Sequence, residues 1–137
     1  MTDRQRLAVG VGASRGVGYA EVAETLRTAL AAAGLPLADV ATVASVTTKR
    51  DEPALHALAR SLGAELLWLP AEQLAAVPAP NPSATVRDAV GTASVAEAAA
   101  LVAARGGTLL IAKTRSSRQP CMCTIAVARH RVGGLAA

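Results

Sequence analysis

The chain has 137 residues, a length that predicts one domain with its own core, spanning residues 1–137. Hydrophobic residues make up 52% of it, yet no run approaches the roughly 18 to 20 consecutive apolar residues of a membrane span, so we expect no membrane association. The formal net charge is +4, and the six basic residues that follow Glu97 without a single acid predict a surface that attracts anions.

The first part of the chain alternates between short apolar runs and stretches with apolar residues at helical spacing. Gly34 and Gly63 end the first two of these stretches, as glycines often do at helix termini. The predicted elements are strands at 6–12, 40–48 and 64–70 and helices at 19–34, 51–63 and 71–77.

The second part begins after the loop sequence PAPNPS at 78–83. It contains predicted helices at 83–91 and 94–107 and predicted strands at 108–113 and 121–129. The seven residues between the last two strands are few enough for a hairpin, so this pair is expected to be antiparallel. The sum is an α/β three-layer sandwich with a mixed five-stranded sheet and a C-terminal antiparallel hairpin.

A glycine-rich loop, VGVGASRGVG at 9–18, joins the first strand to the first helix. Such a loop presents backbone N–H groups at a helix N-terminus, where an anion is favoured. We therefore take Gly12, Ser14, Arg15 and Gly16 as candidate ligand-binding residues. The alternative is that the glycines serve turn geometry and close helix packing alone.

The same loop resembles the dinucleotide fingerprint of short-chain dehydrogenases, but the catalytic pattern of that class is missing. Its Tyr would be followed by a Lys four residues later, whereas Tyr19 is followed by Ala23. The second strand also ends on 47–50, TTKR, with no acid for a ribose. An NADP-binding reductase is thus the least favoured function, and we expect no cofactor.

Charged residues follow or end two predicted strands. Lys113 ends the apolar run TLLIA and Lys49 ends the second strand, so both are expected beside the glycine-loop strand, in the crevice where α/β sheets bind ligands. Asp51 and Glu52 lie in the first turn of the next helix, where they either contact ligand or stabilise the helix dipole. We take all four as candidate ligand-binding residues.

The sequence SVAE at 94–97 is a capping box, in which Ser94 caps a helix and Glu97 returns the hydrogen bond. That role alone accounts for both residues. The functional alternative makes Ser94 a ligand-binding residue, and Glu97 a general base or the residue that orients Lys113. Glu97 and Lys113 are therefore the candidate catalytic residues.

Three candidate metal ligands lie near the C-terminus, but their spacing is unlike that of a structural zinc site, so we expect no metal. They are Cys121, Cys123 and His130. The two cysteines are also poorly spaced for a disulfide, and no signal peptide is indicated, so reduced thiols in the cytoplasm are expected. With one Trp, one Tyr and no Phe, stacking platforms for bases are scarce and no specific nucleic-acid partner is expected.

Five blocks of sequence, taken in order, resemble the cobalamin biosynthesis family that contains CobE and the C-terminal domain of CbiG. They are GVGASRGVGYAEV at 10–22, ASVTTKRDEPALHALARSLGAEL at 44–66, LPAEQL at 69–74, PSATVRDAVGTASVAEAAALVAA at 82–104, and LLIAKTRSS with CTIAVAR at 109–129. The most specific features are KRDEP, VGTASVAE and the Lys at the strand end.

The resemblance implies binding of a carboxylate-rich precorrin or corrin intermediate, in an accessory or carrier role, since a free-standing domain is more similar to CobE. The alternative it implies is hydrolysis of cobalt-precorrin-5A, in which a ring lactone opens and acetaldehyde leaves. A further implied partner is another enzyme of the pathway, such as a precorrin methyltransferase. The chain departs from the family pattern at Ala13, where a Cys usually stands, and at Thr47, where an acid does.

Overall fold

The computed structural model describes residues 6–78 and 94–131, which form five strands and four α-helices. The elements are β1 (Leu7–Ala13), α1 (Tyr19–Ala33), β2 (Val40–Val46), α2 (Pro53–Leu62), β3 (Glu65–Leu69), α3 (Ala71–Ala75), α4 (Val95–Ala103), β4 (Thr108–Arg115) and β5 (Cys123–Arg129). The helix predicted at 83–91 lies outside the described residues. Among the described residues, no helix is long and apolar enough to cross a membrane.

The strands form one mixed sheet in the order β3-β2-β1-β5-β4. β1 pairs in parallel with β2, and β2 with β3, whereas β5 is antiparallel to both β1 and β4. Strands β1 to β4 therefore all point the same way. We call the side of the sheet where these four strands end, and where β5 begins, the carboxyl edge, and the opposite side the amino edge.

Side-chain alternation along β1 divides the core into two layers. Leu7, Val9 and Val11 point to one face, where they pack with apolar residues of α1 and α2. Ala8 lies in the other cluster, which contains buried residues of α3 and α4. Helices thus cover both faces, and the predicted three-layer α/β sandwich with its C-terminal antiparallel hairpin is confirmed.

Small residues bring α4 unusually close to the sheet. A Cβ on Gly10 would collide with the backbone oxygen of Ala96 and would lie 2.6 Å from the backbone nitrogen of Ala100. Most of the buried residues in this layer are alanines, which lets the helix backbone settle onto the strands. The close approach fixes the position of α4, and with it both of the helix ends.

Two expectations about strand ends were wrong. β2 stops at Val46, and residues Thr47–Lys49 form a 3-10 turn, so Lys49 does not end the strand. β4 continues past Lys113 to Arg115 and is separated from β1 by β5. It is a half-exposed outer strand rather than a buried neighbour of β1, because β5, the last strand, inserts between them.

Candidate functional site

A cavity of about 460 Å³ opens at the carboxyl edge of the sheet. It lies where the chain connections change direction, since β2 and β3 extend from one side of β1 and β5 and β4 from the other. Open α/β sheets commonly bind ligands at this position. Its lining residues are Gly12, Ala13, Ser14, Ser94, Val95, Lys113, Arg115, Cys121, Met122, Cys123 and Thr124.

Three buried glutamates support the segments around this cavity. Each carboxylate accepts a backbone N–H from a different segment: Glu52 from Gly16, Glu97 from Lys113 and Glu21 from Met122. All three side chains are at most 8% exposed. A buried carboxylate that accepts such a bond satisfies its own need for partners and fixes the donor segment.

Glu97 holds β4 at a β-bulge. The pairing register of β4 on β5 shifts between Ile111 and Thr114, so one residue of β4 has no partner of its own on β5. The backbone N–H of Lys113, within the shifted stretch, donates to Oε2 of Glu97 at 2.9 Å. Ser94 caps α4 as predicted, accepting from the Glu97 N–H at 3.1 Å. The Glu97 carboxylate, which a capping box would return to Ser94, holds the Lys113 backbone.

Glu21 of α1 holds the segment before β5. Its Oε2 accepts the Met122 N–H at 2.8 Å. A hydrogen bond from the Ser116 hydroxyl and the Met122 N–H lower the pKa of Glu21 below its ordinary value, against burial, which raises it. Arg118 lowers it further. The carboxylate form is therefore the one that the surrounding groups stabilise.

Three backbone N–H groups of the glycine loop already donate hydrogen bonds within the protein. Gly16, at φ +83°, donates its N–H to Oε1 of Glu52 at 2.9 Å. The N–H of Ser14 donates to the Met122 carbonyl, and that of Val17 to the Ser14 carbonyl. The expectation that the loop presents its N–H groups to an anion was therefore wrong at these three positions, because acceptors just before α2, just before β5 and within the loop itself satisfy them.

Gly12 has a different role from Gly16. A Cβ at Gly12 would lie 2.8 Å from the Thr124 hydroxyl oxygen, so this glycine permits β1 and β5 to meet beneath the cavity. Gly18 has nothing within 4 Å of such a Cβ. The glycines of the loop thus have different structural causes: close packing at Gly12 and a left-handed turn at Gly16.

The structure divides the predicted ligand-binding residues into two groups. Those that line the cavity are Gly12, Ser14, Ser94 and Lys113. Those that do not line it are Arg15, Gly16, Lys49, Asp51 and Glu52. Glu52 is instead buried and bonded to the loop. The expectation that Lys49 and Lys113 share one crevice was wrong, because the turn after β2 carries Lys49 away from it.

Sequence reasoning missed several lining residues. Arg115 follows Lys113 by two positions on β4, a spacing that places residues on one face of a strand, so the alternation of β4 was the available signal. Met122 and Thr124 come from the chain entering β5, and no local pattern marks them. In the described part of the chain neither Lys113 nor Arg115 forms an ion pair, so both cations are available to a ligand.

His130 lies far from the two cysteines that were considered with it as metal ligands. Cys123 begins β5 and His130 follows its end, a separation of roughly 20 Å at 3.4 Å per residue. Burial raises the pKa of the Cys123 thiol, with a smaller opposing effect from Thr25. Within residues 6–78 and 94–131, no group of three or more metal-ligating side chains could hold an ion.

The family model described as "Cobalamin synthesis G C-terminus" matches residues 7–128. The chain belongs to this family. It is 30% identical over 110 residues to the cobalt-precorrin-5A hydrolase of Priestia megaterium, an alignment that covers 80% of this chain and 29% of that relative. The chain thus spans less than a third of the length of that hydrolase.

Solved structures of cobalamin biosynthesis proteins share the fold. CobE, a protein from the cobalamin (vitamin B12) biosynthetic pathway, is 33% identical with a TM-score of 0.73, covering 94% of this chain and 96% of CobE. The protein chiG from Agrobacterium tumefaciens is 29% identical, with a TM-score of 0.67 and coverages of 89% and 96%. A cobalamin biosynthesis protein G homologue from Sulfolobus solfataricus is 25% identical, with a TM-score of 0.71 and coverages of 93% and 37%.

Proposed function

We propose that this cobalamin biosynthesis protein binds a corrin-ring intermediate with free carboxylates in the cavity at the carboxyl edge, as an accessory or carrier protein. Intermediates of this class carry acetate and propionate groups on a broad apolar ring. The cavity pairs apolar lining from Ala13, Val95 and Met122 with the cations of Lys113 and Arg115. Its volume of about 460 Å³ lies within the roughly 300 to 1,000 Å³ typical of ligand pockets.

The observation that carries the proposal is the pair of unpartnered cations beside apolar lining. Glu21 and Glu97, the buried acids beneath the cavity, accept backbone N–H groups. Lys113 and Arg115 therefore have no carboxylate partner in the described part of the chain. Lys113 is the residue on which we expect affinity to depend most, because Glu97 fixes its backbone at the bulge.

An absorbance titration with two corrinoids tests the proposal. One ligand carries free carboxylates and the other is its amidated counterpart, whose side chains are uncharged. A hydrogen bond to a charged group contributes roughly 1.5 to 3 kcal/mol, so Lys113→Ala is expected to weaken binding of the carboxylate form about tenfold or more. The amidated form is expected to bind weakly and to be nearly unaffected by the substitution.

Lys49→Ala is the matched control, since Lys49 is a half-buried lysine on the same edge that does not line the cavity. It is expected to change the affinity less than twofold. Failure of the wild type to bind either corrinoid would refute the proposal. Equal losses in Lys49→Ala and Lys113→Ala would instead show a general charge effect and not this site.

Hydrolysis of a corrin lactone is the second candidate function, favoured by the identity to the Priestia megaterium hydrolase. The cavity lining includes serines, Thr124 and Lys113 but no carboxylate or imidazole among the described residues. Such a lining lacks the usual general base. Acetaldehyde release from cobalt-precorrin-5A, measured with this chain alone, distinguishes the two functions: we expect binding without turnover. Any partnership with a precorrin methyltransferase remains a prediction.

A further inference from the structure

A second cavity, of about 400 Å³, lies at the amino edge of the sheet and is lined by three arginines and a histidine. These residues come from separate parts of the chain: Arg6 precedes β1, Arg105 follows α4, and His130 and Arg131 follow β5. Glu65, at the start of β3, is the one acid in its lining. The cavity is therefore distinct from the one assigned to corrinoid binding.

Backbone hydrogen bonds fix these basic residues next to one another. The N–H of His130 donates to the carbonyl of Arg6 at 2.8 Å, and the N–H of Arg131 donates to the carbonyl of Ala104 at 3.0 Å. The first bond ties the start of β1 to the end of β5, and the second places Arg131 beside Arg105. The main chain thus holds the backbones of these residues side by side, while the three arginine side chains are exposed at the mouth of the cavity.

Arg105 occupies a backbone conformation that favours glycine. Its φ is +57°, and it is the one non-glycine residue with positive φ in the described part of the chain. Gly106 follows it at φ +78°, and the two residues close the end of α4. An arginine at such a position is strained, and strained residues cluster at binding sites.

His130 has an unsatisfied buried nitrogen. Its Nε2 is buried and has no hydrogen-bond partner among the described residues, although buried polar atoms nearly always have one. Burial lowers the pKa of His130, and Arg6 and Arg105 lower it further, while Glu65 raises it. An anion placed in the cavity that His130 lines would offset the repulsion from the two arginines.

We propose that the amino-edge cavity binds a compact oxyanion of the sulfate or phosphate class, held by the guanidinium groups of Arg6, Arg105 and Arg131 beside the imidazole of His130. Guanidinium groups match such oxygens with paired hydrogen bonds. Three arginines facing one glutamate leave a net positive site, which a dianion neutralises. The proposal is independent of corrinoid binding at the other edge.

Sulfate titration followed by NMR of the imidazole and arginine side chains tests this site. Sulfate is the probe because it remains a dianion between pH 5.5 and 8, and ionic strength is held constant with potassium chloride. Arg6, Arg105, Arg131 and Glu65 are the charged groups facing His130. We expect sulfate to raise the His130 pKa and, by linkage, to bind severalfold more tightly at pH 5.5 than at pH 8.

Arg105→Gly is the decisive variant because it removes the guanidinium while accepting the positive φ without strain. Its Tm is expected to stay unchanged or rise, and its sulfate affinity to fall about tenfold. Arg60→Ala, an exposed arginine on α2 outside both cavities, is the matched control and is expected to bind as the wild type does. Lys113→Ala is also expected to leave sulfate binding unchanged.

Two results would overturn the proposal. The first is a wild-type protein whose His130 pKa does not respond to sulfate beyond the response to chloride. The second is loss of sulfate binding in Lys113→Ala but not in Arg105→Gly, which would place the anion at the carboxyl edge. Corrinoid titration of Arg105→Gly keeps the two proposals separate, since the variant is expected to retain wild-type corrinoid affinity.

Discussion

Charged side chains have different partners at the two edges of the sheet. At the carboxyl edge, the buried carboxylates of Glu21, Glu52 and Glu97 bind backbone N–H groups. Among residues 6–78 and 94–131, Lys113 and Arg115 have no acid with which they form an ion pair. At the amino edge, backbone bonds gather basic residues around a cavity that has one acid in its lining. A buried acid can thus hold a backbone segment without forming an ion pair with the nearby lysine or arginine, and the number of acids in a sequence does not show which of them do so.

The six basic residues that follow Glu97 lie at both edges of the sheet because β4 and β5 each run from one edge to the other. Arg105 precedes β4 and Arg131 follows β5, whereas Lys113 and Arg115 lie near the end of β4. β4 has eight residues, so its two ends are roughly 25 Å apart. A third location is the exposed ion pair of Arg118 with Glu24, at 3.1 Å. Basic residues that follow one another along this part of the sequence therefore lie in three separate environments in the structure.

The largest expected effect comes from Gly10→Ala, which should disturb both edges at once. The new Cβ would collide with the α4 backbone at Ala96 and Ala100, and α4 connects the carboxyl edge at Ser94 to the amino edge at Arg105. We expect a loss of about 3 kcal/mol in the free energy of unfolding, at the upper end of overpacking costs. For a domain of this size, Tm should fall by about 10 °C in a thermal melt.

Gly18→Ala is the control for that substitution, because nothing lies within 4 Å of a Cβ there and φ is −86°. It is expected to cost less than about 1 kcal/mol as a helix N-cap change. Equal melting temperatures for Gly10→Ala and the wild type would contradict the close approach of α4 to β1.

A smaller effect, confined to the carboxyl edge, is expected from Glu97→Ala. The substitution leaves the Lys113 N–H without its acceptor, at a cost of about 1 to 2 kcal/mol, and frees the bulge that positions Lys113. Glu97→Gln keeps an acceptor oxygen and is expected to recover most of the stability. Chemical denaturation measures both, and sulfate binding at the amino edge should be unchanged in either variant. A loss of sulfate binding in Glu97→Ala would mean that the two edges are coupled.

The smallest expected effects are changes in stability with pH, which should occur over different pH ranges at the two edges. The lowered pKa of Glu21 means that its contribution to stability is present above its ordinary value of 4.5 and is lost as pH falls through the folded-state value. The pKa of His130 is also lowered, so its contribution is full above its ordinary value of 6.5 and is lost as pH falls below it. The amino edge should therefore weaken first on acidification.

Melting temperatures from pH 3 to pH 8 test this order in Glu21→Gln and His130→Gln. The difference between wild type and Glu21→Gln should change below pH 4.5, and the difference between wild type and His130→Gln should change near and below pH 6.5. A His130→Gln variant that follows the wild type across the whole range would show that burial at the amino edge does not disfavour the imidazolium.

Much of the fold could be predicted from the sequence because its signals are local. Helical spacing of Val22, Leu26 and Leu30, and glycines in left-handed conformation at Gly34 and Gly63, fix two helices and their ends within a few residues of chain. Ser94 caps α4 by contact with a residue three positions away. Short apolar and β-branched runs predicted all five strands to within two residues at each end, and the family resemblance rested on the order of these blocks.

What only the tertiary structure decided was which distant residues meet. The insertion of β5 between β1 and β4 moved Lys113 away from the strand expected beside it, and the turn after β2 removed Lys49 from the crevice. The partners of Glu21 and Glu52 lie 101 and 36 residues away along the chain. Strand order and such contacts depend on packing between elements, for which a single sequence carries no periodic signal, whereas a helix or a cap is determined within one or two turns of its own chain.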